Sequence, residues 1–298
     1  MQIVITDSGL GGLAVCADLE RALGKLNPPA ALDIVYLNAA PTDEYGYNRM
    51  PDRQTKVAVF DRFLYNAHER FQPVLTYIAC NTLHVLYPAT SFSTAASIPV
   101  GGIVGDGQEL LGESLKQRPE SPVILFATET TIHENTYGRG LREAGVGDGN
   151  LINQPCPRLA HTISNDHGGA AVRELVRQFT AEAMERISRN PTEIHAFLGC
   201  THFGFQTRIF QEELQRHAAQ VTILNPNLQA ARSILGMLPQ QPAEGNTQVR
   251  FISAYPVPEV EIESLMIYLA DMDAPLTRQA LQEQQIMPDL VPDPREWV

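Results

Sequence analysis

The chain has 298 residues, of which 44% are hydrophobic and 19% are charged, as in ordinary globular proteins. This composition excludes intrinsically disordered, collagen-like and low-complexity classes. Asp and Glu number 34 against 22 Lys and Arg, so the net charge is -12 and both nucleic acid and an anionic membrane surface would be repelled. A small molecule is therefore the expected ligand.

Short β-branched runs bounded by Gly, Asn or Pro recur along the chain and predict buried strands. In chain order these strands cover residues 2–6, 34–37, 74–79, 98–103, 122–127, 193–198 and 221–224. Helical spacing of apolar residues lies between them, at 13–23, 54–71, 108–117, 170–189 and 205–217. This alternation predicts an α/β fold with mostly parallel sheets, and the number of strands favours two lobes.

The first residues, MQIVITDSGLGG, lack a basic n-region and reach Asp7 after a short apolar run. They therefore predict a strand rather than a signal peptide. No apolar stretch approaches the roughly 20 residues that a membrane-spanning helix needs. A cytoplasmic location is the resulting expectation.

Polar and thiol side chains follow several of the predicted strands directly. In open parallel sheets, ligands bind beyond the carboxyl ends of the strands, so these residues are candidates for a site. They are Asp7 and Ser8, then Cys80, Asn81 and Thr82, then Thr128, and finally Cys200, Thr201 and His202.

The cysteines are widely spaced and form no CxxC pair, which argues against a zinc site and against a disulfide scaffold. A lone buried cysteine usually packs as a small hydrophobe, and this is the interpretation for Cys16 and Cys156. Cys80 and Cys200 differ because both end a strand, in IACNT and FLGCT. A helix N-terminus there would lower the thiol pKa and provide an acid or a base.

Several cofactor motifs are missing from the sequence. DSGLGG lacks the Lys-Ser/Thr of a phosphate loop, and GLGGLA is not the dinucleotide fingerprint. Neither Lys25, Lys56 nor Lys116 stands out as a Schiff-base lysine. The histidines show no metal-ligand spacing. We expect chemistry that uses no cofactor and no metal.

Taken together, the motifs resemble those of the glutamate racemases, in the cofactor-independent Asp/Glu racemase superfamily. The matching segments run in family order through about residue 230. They are DSGLGGLAV at 7–15, YG at 45–46, IACNT at 78–82, ATETT at 127–131, PCP at 155–157 and LGCTHFGF at 198–205.

The resemblance implies two pseudo-symmetric α/β lobes with the active site between them. It places the first lobe at 1–97 plus 207–298 and the second at 98–206. It further implies that Cys80 and Cys200 act as acid and base on opposite faces of Cα, with Asp7 assisting Cys80 and His202 assisting Cys200. The implied substrate-binding residues are Ser8, Tyr45, Gly46, Asn81, Thr82, Thr128, Thr131 and Thr201. The implied role is the supply of D-glutamate for peptidoglycan.

The chain departs from the family pattern at several positions. Asp43 and Glu44 precede Tyr45-Gly46, where two anions would oppose a distal substrate carboxylate. A helper Glu of the family falls on Ser164, and Asp166 is a candidate replacement. The family's usual Ser in the second-lobe threonine motif falls on Glu134, and its usual Asp-Pro near residue 225 is Asn225-Pro226.

Other functions stay open at this level. A sibling racemase acting on aspartate or another amino acid is the first alternative. Decarboxylase relatives keep only one of the two cysteines, which disfavours them. A different class is a ligand-binding or redox-sensing protein in which Cys80 and Cys200 form a disulfide on oxidation. An amino acid is the expected partner, and a homodimer is a further candidate assembly.

Overall fold

The computed structural model describes residues 1–26, 30–143, 150–166, 169–187, 191–239, 243–293 and 295. Within these residues the strands form a six-stranded and a four-stranded sheet. The strands are β1 (Gln2–Asp7), β2 (Asp33–Asn38), β3 (Leu75–Ile78), β4 (Val100–Gly102), β5 (Val123–Ala127), β6 (Leu151–Pro155), β7 (Glu193–Gly199), β8 (Gln220–Leu224), β9 (Gln248–Ser253) and β10 (Gln285–Ile286).

Helices cover the connections between these strands. They are α1 (Leu13–Gly24), α2 (Arg53–Phe71), α3 (Asn81–Leu86), α4 (Phe92–Ala95), α5 (Ile103–Gln117), α6 (Glu129–Glu134), α7 (Thr136–Glu143), α8 (Leu159–Asn165), α9 (Ala170–Met184), α10 (Thr207–Leu214), α11 (Asn227–Met237), α12 (Glu259–Asp271) and α13 (Pro275–Gln282). Short 3-10 turns lie at Tyr47–Arg49, Tyr87–Ala89 and Thr201–Gln206. No helix of the described residues is long and apolar enough to cross a membrane.

Both sheets are parallel, which confirms the predicted fold class. The first has the order β10-β9-β2-β1-β3-β4 and the second the order β6-β5-β7-β8. Strands β3 and β5 are buried along their whole length. Parallel sheets covered on both faces need such continuous apolar runs, and this explains why the sequence shows no alternation at these positions.

The predicted lobe boundaries do not coincide with the division between the sheets. Strand β4 lies beyond residue 97, yet it pairs with β3 in the first sheet. Strand β8 lies beyond residue 206, yet it pairs with β7 in the second sheet. The chain therefore leaves the first sheet through α5 and returns through α11, and these two helices pack on each other. Strand pairing is a tertiary contact that motifs do not encode. The predicted boundaries therefore differ from the division between the sheets by one strand at each end.

Some elements differ from the sequence prediction. The helix predicted at 205–217 is a 3-10 turn through Gln206 followed by α10, which ends at Leu214. The helix predicted at 170–189 ends at Met184, and residues 188–190 lie outside the described part of the chain. Strands β6, β9 and β10 were not predicted. Their runs carry Asn, Gln, Arg and Pro, which weaken the β signal.

Candidate active site

A cavity of about 560 Å³ lies where the carboxyl ends of the central strands of the two sheets face each other. Strands β5 and β7 end in register, with Ala127 opposite Gly199. The first sheet contributes the residues after β1 and β3, and the second those after β5 and β7. Of the predicted site residues, Asp7, Ser8, Gly46, Cys80, Asn81, Thr82, Thr128, Cys200, Thr201 and His202 line this cavity.

Cys80 ends the β3 segment and is the N-cap residue of α3. Its side chain is only 5% exposed, and its Sγ lies 3.1 Å from the hydroxyl of Ser8. Burial raises the pKa of the Cys80 thiol well above its usual range, and the negative charge of Asp7 raises it further. Hydrogen bonds from Ser8 and from the Leu83 backbone lower that pKa in part. The free protein therefore holds Cys80 as a neutral thiol.

Cys200 occupies the matching position after β7 and precedes the 3-10 turn. Its side chain is 8% exposed, and its Sγ lies 3.9 Å from Nδ1 of His202. Burial, followed by the charge of Asp7, raises the pKa of the Cys200 thiol to about 12. Burial also lowers the pKa of His202, so the imidazole is neutral at neutral pH. The expected lowering of the two thiol pKa values by a helix N-terminus is thus outweighed by desolvation.

Asp7 connects the two thiol segments across the cavity. Its carboxylate is 1% exposed and accepts a hydrogen bond of 2.7 Å from the hydroxyl of Thr201. The same charge raises the pKa of both Cys80 and Cys200. The resemblance linked Asp7 to Cys80, whereas its hydrogen bond is to the neighbour of Cys200.

The glycines of the DSGLGG segment allow a close approach between the two halves. A Cβ on Gly11 would lie 2.6 Å from the backbone nitrogen of His202, and closer still to the side chains of Thr201 and His202. A Cβ on Gly12 would lie 2.9 Å from Cβ of Asp7. These glycines therefore allow chain segments to pack closely at the site. Close packing accounts for the glycine-rich motif, so a phosphate-binding role is not needed to explain it.

Asn81 and three threonines supply polar groups beside Cys80. The Asn81 side-chain oxygen accepts a hydrogen bond of 2.5 Å from the hydroxyl of Tyr137, and its amide nitrogen is buried with no partner among the described residues. The hydroxyls of Thr82, Thr128 and Thr131 form a chain with spacings of 2.8 and 3.1 Å. The unpartnered amide is a donor available to a ligand carboxylate.

Two predicted substrate-binding residues do not line the cavity. Thr131 is buried behind Thr128, because α6 places it one turn further along the helix. The Tyr45 ring instead lies under the guanidinium of Arg295, 5.4 Å from the centroid. Gly46 lines the cavity next to it.

The structure shows where the residues that depart from the family pattern lie. Asp166 accepts a hydrogen bond from the Ala171 backbone near the start of α9 and lies outside the cavity lining, so the structure gives it no place as a replacement helper carboxylate. Ser164 lines the cavity but carries no charge. Glu134 forms an ion pair with Arg53.

Several residues that line the cavity were not predicted as site residues, among them Arg158, His161, Tyr255 and Glu261. Cys156, which was interpreted as a packing residue, also lines the cavity. Cys156 is buried, and its Sγ contacts the Gln154 carbonyl at 3.5 Å, as its packing interpretation expects. Glu261 lies in a C-terminal segment that carries no family motif. The available signal was a carboxylate on an inward position of an amphipathic helix, which is costly unless the side chain has a partner.

Among the described residues, no group of His, Cys, Asp and Glu is arranged to hold a metal ion. The cysteines of the chain are free thiols. Around the two buried thiols the site thus combines the imidazole of His202, the carboxylate of Asp7 and several neutral donors. Such groups can move protons and bind an amino acid.

Known proteins with similar sequence include glutamate racemases. The enzyme of Chlorobaculum tepidum is 27% identical over 253 residues, which cover 80% of this chain and 84% of the relative. Glutamate racemase of Oceanobacillus iheyensis is 24% identical over 236 residues, covering 79% and 78%. No protein-family model matches the chain.

Solved structures show the same fold. A glutamate racemase isoform of Bacillus anthracis superimposes with a TM-score of 0.68 at 23% identity, covering 90% of this chain and 93% of its own. The glutamate racemase of Francisella tularensis, solved in complex with D-glutamate, gives a TM-score of 0.69 at 22% identity with the same coverage. The fold of this chain is therefore that of the glutamate racemases.

Proposed function

We propose that this chain, which resembles glutamate racemases in sequence and in fold, is a cofactor-independent glutamate racemase. The observation that carries the proposal is the pair of buried thiols, Cys80 and Cys200, in one cavity at the carboxyl ends of two parallel sheets. The product D-glutamate would enter peptidoglycan synthesis, and the proposed location is the cytoplasm. The proposed substrate is a free amino acid. The proposed assembly is a homodimer, and the molar mass from light scattering would test it.

Stereoinversion at Cα requires a base on one face of the substrate and an acid on the other. In the proposed reaction, one thiolate removes the Cα proton and the opposite thiol returns a proton to the other face, so no electrons are exchanged. No redox cofactor is needed for this step. The reverse direction exchanges the roles of Cys80 and Cys200.

The planar carbanion places negative charge on the substrate carboxylate. Neutral donors that are already oriented stabilise such a charge more than water does. The amide nitrogen of Asn81 and the hydroxyl of Thr82 are the donors we assign to this carboxylate, whereas the hydroxyl proton of Thr201 is already donated to Asp7. Their role lowers the barrier to removing the Cα proton.

The high pKa of both thiols in the free protein suits the cysteine that acts as the acid, because this cysteine must carry a proton. The cysteine that acts as the base must instead be a thiolate. The substrate carries its own ammonium group into the cavity. The positive ammonium group, placed beside Asp7, offsets the negative charge of Asp7, which raises the pKa of both thiols. Substrate binding is therefore proposed to favour the single thiolate that the reaction needs.

The test is proton exchange at Cα. L-glutamate, L-aspartate and L-glutamine are incubated with the protein in deuterated water, and loss of the Cα signal is followed by NMR together with optical rotation. Exchange and racemisation of glutamate are expected. Exchange of aspartate alone would point to a sibling enzyme. Absence of exchange with reversible loss of thiols on oxidation would point to a sensor.

The position of His202 leads to a prediction about direction. His202→Asn is expected to lower kcat by about ten- to a hundredfold where Cys200 removes the proton, and less in the other direction, because the imidazole contacts only that thiol. L- and D-glutamate have equal free energies, so kcat/KM must fall equally and KM must change to compensate. Progress curves from each enantiomer measure both constants. Equal loss of kcat in both directions would assign His202 to binding instead.

A further inference from the structure

A carboxylate that the proposed proton transfer does not use lies in the wall of the same cavity. Glu261 is in the first turn of α12, is 8% exposed and lines the cavity. Its Oε1 accepts a hydrogen bond of 3.2 Å from the side chain of Asn165 on α8. The hydroxyl of Ser264 donates a hydrogen bond to the Ile163 carbonyl, which holds α12 against α8.

Glu261 faces a different part of the cavity from the groups beside the thiols. Its interacting neighbours are Asp43 on the loop after β2, Tyr255 after β9, and Asn165. The thiols instead contact Ser8 and His202. Glu261 is therefore the buried carboxylate in the part of the cavity wall that the contacts of the two thiols leave free.

The charges around Glu261 are mixed. Asp43 and Glu44 are exposed acids at the cavity mouth, while Arg158, the N-cap residue of α8, and His161 on α8 are exposed on the other side of the charge balance. Burial, and then the charge of Asp43, raises the pKa of Glu261 to about 7, although the bond from Asn165 lowers it. Close to neutral pH the side chain therefore exists in both forms.

The helices that pack on α12 contribute two further buried carboxylates, and both are on α1. One is Asp18, which forms an ion pair with Arg21. The other is Glu20. It accepts hydrogen bonds from the backbone of Leu276 and Thr277 at the start of α13. Tyr255 keeps its proton, because burial raises its pKa to about 12. Glu261 is thus the buried carboxylate in this wall whose charge changes near neutral pH while it faces the cavity.

We infer that Glu261 is a specificity-determining residue, which in its protonated form donates a hydrogen bond to the distal carboxylate of the substrate and in its ionised form repels it. The inference rests on the proposed function, since it takes glutamate as the substrate. It also explains how a cavity with Asp43 and Glu44 at its mouth accepts an anionic side chain. The protonated acid is a neutral donor where a carboxylate would oppose binding.

The experiment compares the wild-type protein with Glu261→Gln, which keeps a neutral donor at every pH. Values of kcat/KM for glutamate are measured from about pH 6 to about pH 9, and the ratio of wild type to variant is taken at each pH. Titration of the thiols and of the substrate affects both proteins alike and cancels in the ratio. We expect the ratio to be nearly constant below about pH 7 and to fall by about ten- to a hundredfold by pH 9.

Glu259→Gln is the matched control, because Glu259 is on the same helix, carries the same charge and is exposed. Its ratio to wild type is expected to stay constant with pH. Asp43→Asn is the second variant, and it tests the idea even if Glu261→Gln fails to fold. Removing the charge of Asp43 lowers the pKa of Glu261, so the decline in kcat/KM should begin at a lower pH than in wild type.

A ratio for Glu261→Gln that does not change with pH, or an unchanged decline in Asp43→Asn, would overturn the role of Glu261 while leaving the racemase intact. A wild-type protein that exchanges no Cα proton of glutamate at any pH would overturn the proposed function, and the role of Glu261 with it. The two failures are distinguished by the wild-type activity alone.

Discussion

Replacing either thiol of the cavity is expected to abolish racemisation of glutamate. Cys80→Ala and Cys200→Ala should each lower kcat by about a thousandfold or more in both directions. An acid or base that acts in the transition state contributes about a hundred- to ten-thousandfold, and inversion needs both groups in either direction. The measurement is the change of optical rotation starting from each enantiomer.

The two variants should differ in proton exchange. With Cys80 removed, Cys200 can still take the Cα proton from the enantiomer that faces it, exchange that proton for a deuteron of the solvent and return the deuteron to the same face. Exchange without inversion is therefore expected for one enantiomer in Cys80→Ala and for the other in Cys200→Ala. This pattern also identifies the direction in which each thiol is the base.

Cys16→Ala is the matched control for the cysteine variants. Cys16 is a buried free thiol inside α1 and lies outside the cavity lining. It should retain activity close to that of the wild type. Racemisation at nearly the wild-type rate in either Cys80→Ala or Cys200→Ala would reduce that cysteine to a packing role.

A second large effect is expected at Gly11, which has no side chain of its own. In Gly11→Ala the new methyl would overlap Thr201 and His202, so the segment after Cys200 must shift by about 1 Å. A misplacement of that size can cost about a hundredfold in rate. We expect kcat to fall by about this factor while the far-ultraviolet circular dichroism stays native.

Gly24→Ala provides the control, since beyond its chain neighbours and the backbone of its own helix no heavy atom of the described residues lies within 4 Å of the position of its Cβ. Gly24 ends α1, where alanine is a better helix former than glycine. Activity should be unchanged and the melting temperature equal or higher. If Gly11→Ala were as active as Gly24→Ala, the close approach of the first loop to Thr201 would have no part in positioning Cys200.

Local patterns in the chain already indicate the parallel α/β fold and the strand ends that carry the thiols. Runs such as those of β3, β5 and β7 are apolar and β-branched within a few residues, so their burial can be inferred locally. A residue directly after such a strand reaches the ligand-binding edge of a parallel sheet by geometry alone. Cys80 and Cys200 could therefore be singled out from their own segments.

The lobe boundaries, the thiol pKa values and the far wall of the cavity were decided by tertiary structure. Strand β9 pairs with β2 across more than two hundred residues, and no local pattern encodes that partner. Glu261 reaches the cavity only because α12 packs on α8. The pKa of Cys200 follows from burial and from Asp7, which belongs to the opposite sheet. Burial and charge act through space, so the sequence determined which groups enter the site, while folding decided their charge state and the walls around them.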